Sequence, residues 1–228
     1  MKAPRLVLVP VAVVAALTMS GCAHSSNTAA EVGGTTITKA DVDLLSNYQC
    51  DLINSAAKDP SQQVSPITMD KVRTYIATAL INNALDDQLI KKTKVKVSPS
   101  LYKADLASAE ASGKTVPARD RDRFNALALD SIRAGYGIQV LANSELEASG
   151  TTQPTEDQIT AAVTALRNSF RKGVKIDVNP IYGLGADGAT TVVDPSASKA
   201  VTSFAKDTVA ASPSAAFLTS LAPGQTCG

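Results

Sequence analysis

Apolar positions along the chain recur mostly at helical spacing. Val42, Leu45 and Leu52, with Leu44, Tyr48 and Ile53 beside them, predict a helix to about Ala57. Thr38 stands before it as an N-cap, and Asp41 occupies the third helical position, where a carboxylate favours the unpaired amide dipoles. Asp59 to Pro66 reads as a loop. The longest stripe comprises Met69, Val72, Ile76, Leu80 and Ala84 with Ile81, Leu85 and Leu89. It runs from a Thr68 cap to about Lys92 and is wide enough for a central, largely buried helix. Ser98-Pro99 opens another helix to about Ser112, with proline at the first helical position, where its missing N–H costs least. After a break at Gly113 to Pro117, Phe124, Leu127, Ala134, Ile138 and Leu141 continue the period. Gly135 and Gly137 interrupt that segment and predict a bend or a close helix contact. Thr155 then caps a helix carrying Ile159, Ala162, Val163, Leu166 and Phe170, which ends at Gly173.

Period-two alternation is confined to short pieces. Val32 and Ile37 flank Gly33-Gly34, a two-residue hairpin signal. Val95 and Val97 alternate with Lys94 and Lys96, and Val174, Ile176 and Val178 alternate with Lys175, Asp177 and Asn179 up to Pro180. Pairing of these segments would join the beginning and end of the helical body in one small sheet. The expected fold is therefore mainly α, a multi-helix domain with a small β-sheet from an N-terminal hairpin and a C-terminal strand, spanning residues 31–183. Residues 184–228 are rich in Ala, Ser, Thr and Pro and read as a tail with a short helix around Val201 to Val209.

The N-terminal segment departs from this pattern. Lys2 and Arg5 precede fourteen uncharged residues, Leu6 to Met19, followed by Ser20-Gly21-Cys22. A positive start, an apolar stretch too short to span a bilayer and a small-residue cleavage site describe an export signal over residues 1–21. Leu17 to Cys22 resembles the lipobox of bacterial lipoproteins. That resemblance implies cleavage before Cys22, its diacylation, often with a further N-acyl chain such as palmitate, and an extracytoplasmic chain anchored to the cell membrane. Residues 22–30 are small and polar and read as a tether of at most about 30 Å.

Composition narrows the chemistry. The chain has 22 Lys+Arg against 21 Asp+Glu and 4% aromatic residues, which gives no electrostatic footprint for nucleic acid. Its one histidine, His24, lies on the tether, so a Ser-His-Asp triad or a multi-histidine metal site has no obvious source. Asp86 and Asp87 are adjacent on a helix and point apart, so they form no facing acid/base pair. Lys91 and Lys92 suit a helix C-terminus, and Lys94 and Lys96 suit the outer face of a short strand. Arg119 to Arg123 alternate in charge and read as a solvated helix start. No enzyme activity, cofactor or metal is expected. With Cys22 acylated, Cys50 and Cys227 remain in a compartment where disulfides persist. A bridge between Cys50 and Cys227 is the expected pairing, with two free thiols as the alternative.

The layout Ala30-x-Val-x-Gly-x-x-Ile37-Thr38, several amphipathic helices and then Val174-x-Ile-x-Val-Asn-Pro180 resembles the N-terminal chaperone domain of SurA/PrsA-type extracytoplasmic foldases. In particular it resembles actinobacterial lipoproteins that carry this domain without a parvulin isomerase domain. The resemblance covers Ala30 to Gly183 and implies binding of unfolded or exported polypeptides in an apolar helical cradle, without isomerase activity. Tyr48, Tyr75 and Tyr136 are the candidate polypeptide-binding residues, because tyrosine buries large area while keeping one polar end wet. The alternative reading is an interaction lipoprotein that scaffolds a cell-envelope complex.

Overall fold

The computed structural model describes residues 27–185, 188, 214–222 and 224–228. The export signal, Cys22, His24 and the expected Val201–Val209 helix lie outside the described residues. The fold is mainly helical with a small antiparallel sheet.

Strands β1 (Thr28–Val32) and β2 (Thr35–Thr38) form the hairpin around Gly33 and Gly34, both at positive φ. Strand β4 (Ile176–Val178) pairs antiparallel with the other edge of β1, so the three-stranded order is β2-β1-β4. Val178 lies opposite Ala30, which brings the two ends of the helical body together. β1 begins earlier than the tether reading allows: Ala29 and Ala30 are buried, since small side chains let the strand approach the helices beneath it.

Helix α1 (Lys39–Ala57) starts at a capping box in which the Asp41 amide donates to Thr38 Oγ1 at 3.1 Å and the Thr38 amide donates to the Asp41 carboxylate at 3.3 Å. Its buried line is Asp41, Val42, Ser46 and Cys50, while Leu52 is exposed. The apolar periodicity places the inward face a little off, because two of its inward residues, Asp41 and Ser46, are polar or charged and do not register in hydropathy. Helix α2 (Met69–Thr93) is the central element, packed against α1, β1 and two later helices, with Ile81 and Leu85 fully buried. Burial of each contributes roughly 1.5–3 kcal/mol.

α2 ends at Lys94, which takes the left-handed conformation at φ 57°, and the Val95 amide returns to the Ile90 carbonyl. That reversal prevents the expected Val95–Val97 strand. The two valines instead pack inward as a loop: Val95 joins a cluster with Leu89, Ile138 and Val163, and Val97 lies near Gly137. A 3₁₀ turn (Pro99–Leu101) precedes α3 (Lys103–Gly113), so the helix expected from Pro99 is divided in two. Helix α4 (Arg121–Ala148) runs unbroken through both glycines. A Cβ on Gly137 would collide with the Ile90 side chain, so this glycine serves a close α2–α4 contact, not a bend. Helix α5 (Glu156–Arg171) has the expected Thr155 cap, completed by Gln158.

The charged helix start is more than solvated. Arg121 donates to the Gly113 and Val116 carbonyls and pins the α3–α4 turn. Arg123 grips Asp41 with two bonds of 2.6 and 2.7 Å, tying α4 to the first turn of α1. Burial pushes the Asp41 carboxyl up, but the Arg123 fork and the Thr38 bonds together hold it below its ordinary value. The folded state therefore binds fewer protons here than the unfolded chain. The resulting stabilisation is present above about pH 4 and is lost as pH falls through the lowered native value. Asp41→Asn keeps a capping oxygen and removes the charge. It is expected to cost about 2 kcal/mol at neutral pH and to flatten the loss of stability below about pH 4, read from denaturant midpoints across an acid series.

The C-terminal residues fold back onto the body. Following α6 (Ala215–Ser220), β5 (Thr226–Cys227) pairs antiparallel with β3 (Ile67–Thr68), at the start of α2. Cys227 forms a disulfide with Cys50 of α1, with the Cα atoms 5.1 Å apart. The Gly228 amide donates to Asn54 Oδ1 at 2.7 Å, and the Met69 amide donates to the Gln225 carbonyl.

Candidate polypeptide-binding surface

α5 carries one continuous apolar stripe, and only one of its residues is fully buried. Val163 is buried against Leu89, Ile138, Leu141 and Ala142, with Ile159, Ala162, Leu166 and Phe170 half-buried at the margin of that cluster. Phe170 also packs against the main core, so it joins the two clusters. α5 is fixed in azimuth by a buried ion pair. Arg167 donates to both Asp86 carboxylate oxygens, at 2.8 and 2.7 Å, and Asp86 is wholly buried on α2. One turn later Arg171 donates to Asn82 Oδ1 at 2.8 Å.

With α5 so oriented, the outer edge of its stripe opens into a cleft against the C-terminal part of α4. The cleft has a volume of about 500 Å³ and is lined by Leu146, Ala162, Ala165 and Leu166, with Glu145, Ser149 and Ser169 at its polar margin. Alanines at positions 162 and 165 leave room for a side chain or a segment of backbone to approach the α5 helix. Such a surface can bury apolar groups and hydrogen-bond a few polar ones without presenting a reacting group. Among the described residues, no group of three or more His, Cys, Asp or Glu is placed to hold a metal ion.

No known family, curated protein or solved structure matches the chain.

The three candidate tyrosines lie in three different settings. Tyr48 on α1 packs its ring edge-on against Phe124 of α4 at 4.7 Å and is half-buried. Tyr136 on α4 lies 6.0 Å from the Tyr102 ring and donates its hydroxyl to Asp105 Oδ2 at 2.8 Å, a bond that raises the phenol pKa. Both residues thus brace helix pairs, α1–α4 and α3–α4. Tyr75 on α2 is 66% exposed. The Thr74 hydroxyl beside it donates to the Tyr182 carbonyl at 2.8 Å and ties this part of α2 to the 3₁₀ turn Pro180–Tyr182, on which Ile181 is exposed. None of the three lines the α4–α5 cleft. The residues that do were not singled out as a site because alanines and serines on a helix carry no chemical signature. The available signal was the α5 stripe, of which only Val163 is fully buried.

Cys50 and Cys227 are brought together as a disulfide, and both are buried. Cys22 lies outside the described residues. No helix among the described residues is long and apolar enough to cross a membrane.

Proposed function

We propose that this chain is an extracytoplasmic lipoprotein, acylated at Cys22 and held on the cell membrane, whose helical body binds unfolded or exported polypeptides in a chaperone-like manner without isomerising prolyl bonds. The observation that carries the binding role is the α4–α5 cleft, an apolar floor of Leu and Ala with a polar margin, beside a helix stripe only partly spent on the core. An unfolded segment offers scattered apolar side chains, and a cleft of this kind takes them without demanding a sequence. The export signal and lipobox-like segment support the location, and the disulfide suits an oxidising compartment. Two or three acyl chains give stable anchoring where one gives only marginal binding.

The test is suppression of aggregation of a chemically denatured client by the chain from residue 23 onward. At several-fold excess the protein is expected to keep the client in solution. Ala165→Glu places a charge in the cleft at an exposed position and is expected to reduce that protection several-fold with an unchanged melting temperature. Tyr75→Ala, at an exposed position outside the cleft, serves as the comparison and is expected to leave protection unchanged. No protection by the unaltered chain would overturn the proposal. Recovery from cells of one dominant stoichiometric partner, in place of many clients, would favour the scaffold reading instead.

A further inference from the structure

The end of the molecule at which α2 terminates gathers lysines from three segments. Lys91 and Lys92 occupy the last turn of α2, Lys94 and Lys96 the loop after it, and Lys172 and Lys175 the connection from α5 to β4; all six are exposed. Three contacts fix these segments side by side. Lys92 Nζ lies 5.5 Å from the centroid of the Phe170 ring, two residues before Lys172. The Gly33 amide at the hairpin tip donates to the Lys175 carbonyl at 2.9 Å, while Gln88, one turn before Lys92, donates to the Val32 carbonyl at 2.7 Å.

Ordinary structural roles account for only part of this cluster. Lys91 pairs with Asp87 at 2.6 Å, and two lysines suffice to complement a helix C-terminus. The strand that would explain Lys94 and Lys96 is absent, since both sit in a loop whose valines turn inward. Among the described residues, no carboxylate lies within ion-pair distance of Lys92, Lys94, Lys96, Lys172 or Lys175. The nearby acids are Asp87, already paired, and Glu31 and Asp177, which face each other across the β1–β4 ladder. Glu145 stands at the margin of the cleft. In a chain of net charge +1, this is segregation of charge.

We propose that this lysine face docks on an anionic lipid bilayer. Each lysine held near an anionic surface gains about 1 kcal/mol, or about fivefold in partitioning. The reach of the chain permits the contact. The hairpin tip at Gly33 lies at the lysine end, the chain runs about 17 Å from there along β1 back to Thr28, and the six steps from Cys22 to Thr28 span at most about 20 Å. The face can therefore lie on the membrane that holds Cys22. The inference uses the proposed lipid anchor only to place a bilayer nearby, and its test is made without the anchor, so failure of either leaves the other standing.

The experiment is sedimentation of the chain from residue 23, which contains every described element, with vesicles of phosphatidylcholine alone or mixed with phosphatidylglycerol. Binding is expected to the mixed vesicles only and to fall with added salt. The triple substitution Lys94→Gln, Lys96→Gln and Lys172→Gln is expected to weaken it roughly hundredfold. The same charge change made elsewhere, as Lys58→Gln, Lys114→Gln and Arg119→Gln, is expected to weaken it by no more than about threefold, the share left for charge distant from the membrane. Absence of binding to the mixed vesicles at low salt, equal losses in the two triple variants, equal binding to both vesicle types, or tighter binding to duplex DNA at the same salt would each overturn the proposal.

Discussion

Removing the Cys50–Cys227 disulfide is expected to lower the unfolding free energy by about 3–5 kcal/mol. The bond joins residues 177 apart and closes nearly the whole folded body into one loop. In the chain-entropy account, cross-linking a loop of that length restricts the unfolded ensemble by about 5 kcal/mol, and removal of native disulfides from small secreted domains costs 2–5. Local structure adds to the effect. β5 and β3 pair over only two residues each, and a ladder that short does not persist alone in water. The disulfide and the Gly228–Asn54 bond keep β5 beside α1, and through the Gln225–Met69 bond they support the entry to α2. The test is guanidinium unfolding of the Cys50→Ala/Cys227→Ala protein beside the unaltered one, with and without a thiol reductant, both lacking Cys22. The unaltered protein is expected to fall to the variant's midpoint when reduced, and the variant is expected to ignore reductant. Two reactive thiols in the unreduced, unaltered protein would contradict the bridge itself.

The parts of the fold legible in the sequence are those where one residue type does one job. Thr38, Thr68 and Thr155 all cap the helices they were expected to cap, because a hydroxyl three residues before an exposed amide has few other uses. The α2 stripe, the Gly33-Gly34 turn and the Val178 strand followed directly from period and turn chemistry. What was illegible depended on tertiary partners. Lys94 ends α2 in a left-handed turn, so the Val95–Val97 alternation, a good local strand signal, is overridden as Val95 packs into the α2–α4–α5 cluster. Asp41 looked like a capping residue only, and Arg123 like one charge in a solvated run, since nothing local links residues 82 apart in sequence. The cleft was hidden for a similar reason: Leu146 and Ala165 belong to helices whose relative placement is set by an ion pair between α2 and α5.

That ion pair is the second place where a single substitution should have a large effect. Arg167→Met leaves Asp86 buried on α2 without its counter-charge, and the loss is expected to be about 3–5 kcal/mol at neutral pH. Burial already pushes the Asp86 carboxyl up, and the Arg167 fork only partly draws it back, while Arg167 itself is held more firmly charged by the same contact. Removing the fork leaves burial unopposed. The native carboxyl of the variant then titrates further above its unfolded value, so the folded state binds more protons than the unfolded chain between those two values. The variant should accordingly regain stability as pH falls toward about 4–5, the reverse of the Asp41 contribution. Pairing it with Asp86→Leu removes the stranded charge, and the double variant is expected to unfold within about 1 kcal/mol of the unaltered protein, since apolar replacement of a buried pair is often neutral. Denaturant midpoints of the three proteins at neutral and mildly acid pH measure both effects. A single variant that loses stability equally at both pH values would mean that Arg167 acts by filling space between α2 and α5. The predicted crossover would mean that it neutralises Asp86, and that α5, with the cleft on its outer edge, is oriented by charge.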